Sequence, residues 1–287
     1  MNKLTLTAGI GMIMALGAAN ALAGDTRSET RMDIAPGGIV NVVNSAGSVN
    51  VHAGSGRQVV VTHTTVSSKI EVDKTITPDK GRVEIRTHVL PGQKLSAGED
   101  RVDLDITVPA GIWVTVSTST APITVDGFRG DTELSSETGQ IIVRNVSTAH
   151  VHVRSVTAPV TLANITVGHV EVTSSSGAVQ LINVSGPSVK IGTTSGNITY
   201  QGDCSGGGAY AFTTHSGAID VTLPQTASVD LSARSVNGTV VNDFPLQTKS
   251  HTSFVTKAGS SFTGTSLSGS SSVELQSFSG RIRVKKQ

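Results

Sequence analysis

Apolar and polar residues alternate in short runs along most of the chain. One set of inward pairs reads Ile123/Val125, Ile141/Val143, Val160/Leu162, Val179/Leu181, Ile198/Tyr200, Ile219/Val221 and Ile282/Val284. A second set reads Val151/Val153, Val170/Val172, Val189/Ile191, Tyr210/Phe212, Phe254 with Thr252, and Val273/Leu275. Alternation at period two marks strands with one side buried and the other wet. The two sets are joined by a recurring motif, Ser/Thr-x-small-Gly-x-Ile/Val-x-Val/Leu, clearest at 136–143, 174–181 and 193–200. With the glycine position as reference, the series runs Ala121, Gly139, Ala158, Gly177, Gly196, Gly217, Gly238, Gly259, Gly280. Its spacings are 18, 19, 19 and 19, then 21 four times.

A unit of this size cannot bury its apolar stripe alone, but stacked units pair equivalent strands in parallel and bury a continuous core. The pattern therefore predicts an all-β fold, a single-chain parallel β-solenoid (β-helix) with rungs of about 19–21 residues. With rungs roughly 4.8 Å apart, the nine units span roughly 40 Å. An antiparallel sandwich also uses short strands, but its strands need not align position by position as these do. The unit at Gly259 is the weakest, with Ser261 and Thr263 at the apolar stations. Three residues before each reference position stands a hydroxyl: Thr118, Ser136, Ser155, Ser174, Thr193, Thr214, Ser235, Thr256 and Ser277. An outward ladder of hydroxyls would suggest an ice- or crystal-binding face. The column shares parity with the buried pairs, however, so it is expected to point inward and satisfy backbone groups at a corner.

Composition agrees: 37 Val, 35 Ser, 35 Thr and 31 Gly dominate the 287 residues, and aromatics are 3%. Val and Thr fit a pleated surface and Gly and Ser supply turns, which excludes helix-rich folds. Residues 24–112 are β-rich without the clean period, and are expected to form an irregular N-terminal β cap. Pro36-Gly37-Gly38 leads there into an early copy of the motif at 44–51, and an alternating strand and turn occupies 102–111. The regular repeats are assigned to 113–287. The Pro-Gly-Gly turn, the strand-Pro-x-Gly element at 104–111 and the Ser-Gly-x-Ile-x-Val rungs together resemble a bacterial family of secreted β-strand-repeat proteins. That family is a domain of unknown function labelled putative adhesin, and the likeness covers most of 30–287. It implies a parallel β-solenoid at the cell envelope or outside, and it carries no catalytic residues over.

Residues 1–23 read as a secretory signal. Lys3 precedes an uncharged stretch from Leu4 to Ala19, and Ala21-Leu22-Ala23 supplies a cleavage site after Ala23. The stretch is short for a spanning helix, so the mature chain is expected to be exported, periplasmic or extracellular, without an integral membrane segment. Cleavage removes Lys3 and no acid, leaving 21 basic and 21 acidic residues, which argues against nucleic acid as a partner. The tail Arg281, Arg283, Lys285, Lys286 is locally basic and reads as a solvated end. Cys204 is alone, so no intramolecular disulfide forms. With His215 the only nearby base in the sequence, a structural thiol is expected rather than a nucleophile.

Polysaccharide lyases are the enzyme class to weigh, because they share the solenoid. Their chemistry needs clustered carboxylates, whereas Asp103/Asp105, Asp126, Asp131/Glu133 and Glu171 are spread out. No catalytic residue and no cofactor is assigned. The sharpest constellation is histidine: aligned units stack Asp131, His150, His169 and Ser188 in one outward column and Glu133, His152, Glu171 and Lys190 in the next. His150, His152 and His169 with Glu171 form a set within reach of one Zn²⁺ or Cu²⁺. An exposed polar face is favoured over that metal site, since strict ligand spacing is missing. Sequons at Asn145, Asn164, Asn183, Asn197 and Asn237 read as echoes of the repeat, the first three at turns. The expected function is a non-enzymatic binding surface for a polysaccharide or envelope component, using His150, His152, His169, Arg154 and Glu171. A structural or stress-linked envelope protein without a ligand is the alternative, and a glycan-cleaving enzyme the third.

Overall fold

The computed structural model describes residues 26–147, 150–166, 168–204, 207–248 and 259–287. The proposed signal segment, Phe254 and Thr256 lie outside these residues. Among the described residues every regular element is a strand. Twenty-five strands form two long, mostly parallel sheets of 12 and 13 strands, with no helix and no closed barrel. The architecture is solenoid-like, since each rung gives one strand to each sheet. His150–Ser155, for example, lies in the second sheet and Val160–Thr166 in the first.

Register follows the repeat. Ile141, Val160, Val179, Ile198 and Ile219 align across successive strands of the first sheet. Val151, Val170, Val189 and Tyr210 align across the second. All are buried, and the inward pairs of both sheets form one core. Each such side chain contributes roughly 1.5–3 kcal/mol by leaving water, and a one-residue slip would turn every one of them outward. Phe128 is buried in the core near the first rungs, and beyond Gly196, where the repeat lengthens, three aromatic rings cluster. Tyr200 packs against Phe212 at 5.4 Å and Tyr210 at 5.9 Å between ring centroids, and its hydroxyl donates to Val184 O at 3.1 Å.

The hydroxyl column points inward at the corner. Thr118, Ser155, Ser174 and Thr193 donate to the carbonyl three residues on, at 2.5–3.0 Å. Thr214, Ser235 and Ser277 accept from the N–H three residues on, at 2.7–3.0 Å. Ser136 Oγ is buried without a hydrogen-bond partner among the described residues. Beside this column the backbones of adjacent rungs approach very closely. A Cβ on Gly177, Gly196, Gly217, Gly280 or Gly238 would collide with the carbonyl oxygen of the rung next to it. None of these glycines has positive φ, so it is the close approach, not a left-handed turn, that requires them.

The rungs do not stack in chain order throughout. Ser271–Ser277 lies between Ala209–Thr214 and Val229–Ser235, and Ile282–Lys286 lies between Ile219–Leu223 and Val240–Asn242. The Gly280 unit is therefore inserted between those of Gly217 and Gly238. The Gly259 unit is not a parallel rung: Ser261–Thr265 runs antiparallel to Val229–Ser235. Its polar stations explain this, for Ser261 and Thr263 bring no apolar pair to bury. The other end repeats the device. Ile39–Asn44 and Ala46–Gly54 lie between the rung of Trp113–Thr118 and Ile123–Asp126 and the later strands Arg82–Val89 and Arg101–Pro109. Antiparallel strands then close that end, Thr26–Asp33 on Gln58–Thr65 and Ile70–Ile76 on Arg82–Val89. The tail is thus an internal strand rather than a solvated end. Arg281 and Lys285 approach Asp220 at 3.6 and 3.7 Å, and Arg283 reaches Asp243 at 3.2 Å.

Two stability experiments follow. Gly196→Ala is expected to destabilise by about 1–3 kcal/mol in denaturant unfolding, because the corner cannot open without losing register. Gly192→Ala is expected to be neutral or stabilising by up to about 1 kcal/mol, since its Cβ would meet open space; equal losses at both sites would refute the close-approach account. At the N-terminal end, Lys74 Nζ donates to His63 Nδ1 at 3.2 Å. Burial first, then the Lys74 charge, holds the His63 pKa below its ordinary 6.5. The unfolded chain therefore binds the extra proton first, and stability is expected to fall as pH drops from about 6.5 toward the lower folded value. His63→Gln should flatten that part of the pH–stability curve, read by thermal unfolding.

Candidate functional site

The outward side of the second sheet gathers the histidines. His150 pairs with His169, His152 with Glu171 and Arg154 with Thr173, while Glu133 pairs with His152, Glu171 with Lys190 and His169 with Ser188. The columns expected from the repeat are therefore present. The rings of His150 and His169 meet edge to face with centroids 5.2 Å apart. The main-chain N–H of His150 donates to Asp131 Oδ1 at 3.0 Å, and its Nδ1 lies 3.3 Å from the same oxygen. Arg154 donates to Glu133 at 3.2 Å, and His169 Nδ1 lies 2.6 Å from Gly168 O. Both Nδ1 atoms are thus turned toward oxygens of the protein. Among the described residues no group of three or more His, Cys, Asp and Glu is placed to hold a metal ion. The arrangement offers ring edges, a guanidinium and carboxylates, repeated at the rung spacing, for hydrogen bonding to a ligand laid along the stack.

Two exposed aromatic residues were not singled out from the sequence. Trp113 pairs with Ile39, and the register of Val114 with Thr132 sets it beside Asp131, in the same column as His150 and His169. Its signal was available: a lone tryptophan at outward parity just before Val114/Val116. Phe278 stacks on His215 with centroids 4.8 Å apart and planes 5° from parallel. With Val236, Arg234, Gln276 and Thr213 these two line a groove of about 460 Å³ at the glycine corner. Chain-order stacking would put Phe278 far from His215. Only the weak Gly259 unit hinted at the insertion that joins them.

At the opposite corner Asn145, Asn164 and Asn183 adopt left-handed φ of 53–56° and form a ladder. Asn183 donates to Asn164 and Asn164 to Asn145, each at 3.2 Å, and Asn145 donates to Asp126 at 2.9 Å. The amide nitrogens of these three sequons are therefore engaged within the turns. Donation from Asn145 and the guanidinium of Arg144 hold the Asp126 carboxyl below the usual range.

Comparison with known proteins places this geometry. The family profile named Toastrack DUF4097 matches residues 40–285. The chain belongs to the Toastrack family. No protein of curated function matches it. Among solved structures, a putative adhesin from Parabacteroides distasonis aligns over 91% of this chain and 97% of its own, at 10% identity and a TM-score of 0.51. A putative adhesin from Bacteroides fragilis aligns over 92% and 99% at 9% identity, with a TM-score of 0.41. A putative lipid binding protein from Parabacteroides distasonis aligns over 91% and 96%, also at 9% and 0.41. At such identities a likeness shows the fold alone, and only the first of these three is close enough to carry even that.

The other groups weighed from the sequence are engaged structurally in this Toastrack chain. Asp103 accepts from Ser48 at 2.8 Å and Arg101 at 2.9 Å, Asp105 lies 3.6 Å from His52, and Asp126 holds Arg144 at 2.9 Å. Cys204 is buried among apolar neighbours; its N–H donates to the Tyr200 hydroxyl at 3.1 Å, and its carbonyl accepts from Ser271 at 2.6 Å. Strand Ala209–Thr214 separates it from His215. Burial pushes its thiol up to about 12, so no reactive thiolate is present at neutral pH. A thiol reagent at pH 7–8 is expected to leave Cys204 unmodified in the folded protein and to modify one thiol per chain in denaturant. Stoichiometric labelling of the folded protein would contradict this.

Proposed function

We propose that this Toastrack protein is an exported, non-enzymatic scaffold at the bacterial envelope, holding glycans or other envelope components along the outward face of its second sheet. In this reading residues 1–23 are the export signal, 24–112 close one end of a parallel β-solenoid, and 113–287 carry the binding surface. The observation that carries it is the in-register placement of His150, His152, His169, Arg154 and Glu171 on one rigid, solvent-facing surface. A parallel ladder fixes these groups before any ligand arrives, so little ordering opposes binding. Each hydrogen bond to such a group is worth roughly 0.5–1.5 kcal/mol. Millimolar binding corresponds to about 4 kcal/mol, so several rungs must act together. A repeating polymer suits that requirement, because successive units meet successive rungs. The adhesin and lipid-binding descriptions belong to the neighbours and do not decide this ligand.

The test is a glycan array together with envelope fractions, comparing the parent protein with a His150→Ala/His169→Ala/Arg154→Ala variant. All three side chains are exposed, so folding should be kept. Binding weakened by at least about tenfold, or about 1.4 kcal/mol, is the expected result. Absence of binding by the parent to every glycan and fraction would overturn the proposal. Release of new reducing ends or unsaturated sugars from wall polysaccharides would replace it with the cleaving reading.

A further inference from the structure

We infer that the groove beside Trp113 is a stacking subsite for one pyranose residue of a neutral glycan, at the end of the histidine column. This rests on the glycan reading above and deepens it. Trp113 is the chain's single tryptophan and is 43% exposed at the start of Trp113–Thr118. On one side its column continues through Asp131, His150, His169 and Ser188, all polar, and on the other it meets the half-buried Ile39. Pairing with Ile39 gives the indole a cross-strand partner but does not cover it, and leaving so much apolar ring in water forgoes the stabilisation it gives when covered.

The surroundings of the ring are those of a receptacle. Trp113 lines a groove of about 430 Å³ with Gly37, Gly111, Arg129 and Asp131 among its walls. Gly37 and Gly111 are in left-handed turns, with φ of 74° and 77°, and nothing lies within 4 Å of where a Cβ would stand. The floor is therefore open main chain. Asp131 gives one oxygen to His150, and its other oxygen has no hydrogen-bond partner among the described residues. Arg129 is exposed, and its side chain makes no hydrogen bond or ion pair among the described residues.

A pyranose ring matches these groups. Its axial C–H face is apolar, carries slight positive charge and stacks on the electron-rich face of an indole. Its rim hydroxyls donate to a carboxylate and accept from a guanidinium, and both groups stand beside the ring. The groove holds one charge of each sign, so it gives no net attraction to an acidic or a basic sugar. That balance selects a neutral one. From this subsite the next sugar of the chain reaches His150 and then His169, on rungs roughly 4.8 Å apart.

The single tryptophan makes the subsite directly readable. Neutral glucan, mannan and chitin oligosaccharides, with a uronate oligosaccharide as the charged control, are titrated into the whole protein while tryptophan emission and calorimetric heat are followed. A saturable emission change with a neutral oligosaccharide is expected, with the same affinity by heat. Trp113→Ala should abolish the heat, Trp113→Phe should keep most of it, and Arg129→Gln and Asp131→Asn should each weaken binding by about tenfold with an unchanged Tm. Should Trp113→Ala fail to fold, the two polar variants decide the matter, since neither side chain lies in the core. A glycan that binds by calorimetry without altering the emission, and equally in the polar variants, would overturn this subsite and leave the broader glycan reading standing. Binding of the uronate alone would overturn the neutral class. No binding by any glycan would remove the subsite together with the glycan half of the proposed function, leaving its other envelope components to the fraction assay.

Discussion

Everything in this molecule depends on a corner where two rungs nearly touch. Along the line Gly177, Gly196, Gly217, Gly280 and Gly238 each main chain approaches the next so closely that a single methyl group is excluded. Beside that line the buried Ser and Thr side chains take up carbonyls or N–H groups of the turn that would otherwise be left unpaired in the interior. The pair of columns fixes the height and register of the rungs from Gly177 to Gly238, whereas the rungs of Ala121 and Ala158 admit a buried methyl at the same station. Once the register is fixed, Val and Ile of consecutive rungs fall into line, and the apolar core follows from repetition. The outward side chains fall into line for the same reason. An outward face built this way inherits its spacing from the corner and needs no fixing of its own.

A stack of parallel rungs has a weakness at its ends, where strands show unpaired N–H and C=O groups that invite further strands. Here the chain answers it with its path. The rungs of Ala46–Gly54 and of Ile282–Lys286 each sit one place in from the end, with neighbours on both sides. Each outer place is taken by a segment continuous with chain on both of its sides, which cannot fray from a free terminus. Antiparallel strands lie beyond both sheets at the N-terminal end and beyond the second sheet at the other, where Val240–Asn242 is the last described strand of the first. Those at the N-terminal end are charged: Arg27, Glu29, Arg31 and Asp33 on one, Glu71, Asp73 and Lys74 on the other. Such strands accept another sheet edge poorly. The basic tail is held inside this arrangement by Asp220 and Asp243.

The legibility of the sequence follows from the same geometry. Wherever neighbouring rungs are also neighbours in the chain, the repeat spacing itself predicts a contact, and His150 against His169 or His152 against Glu171 could be read directly. The hydroxyl column could be placed inward because parity ties it to Val153 and Val172. The inserted rung could not be read in this way. Ile219 pairs with Ile282, a whole number of repeats further on, so either stacking order preserves register and parity. What separated the two orders was the content of the units. Ser261 and Thr263 cannot supply a buried pair, whereas Ile282 and Val284 can. The contact of His215 with Phe278 depends on that insertion. Trp113 is legible on one side only: the repeat spacing sets it beside Asp131, whereas its other neighbour, Ile39, comes from the irregular N-terminal third.

The two outer faces show where function is separable from fold. Both are solvent-facing sides of parallel sheets, with the same need for strand-forming residues and the same freedom otherwise. On the first sheet the middle rungs present Thr161 and Ala163, Gln180 and Ile182, then Thr199 and Gln201, all uncharged. On the second the equivalent stretch presents His150, His152, Arg154, His169, Glu171 and Lys190, and one end of it carries Trp113. Toward its ends the first sheet is charged too, with Asp126 and Arg144 before this stretch and Asp220, Arg283 and Lys285 after it. Surface ion pairs contribute little to stability, commonly under about 1 kcal/mol, so the core does not decide where along either face they stand. The corner and the inward pairs would build the same stack with either surface on either sheet. The contrast between the middle rungs of the two faces is therefore not set by the fold, and the side chains that differ there can change without disturbing the stack.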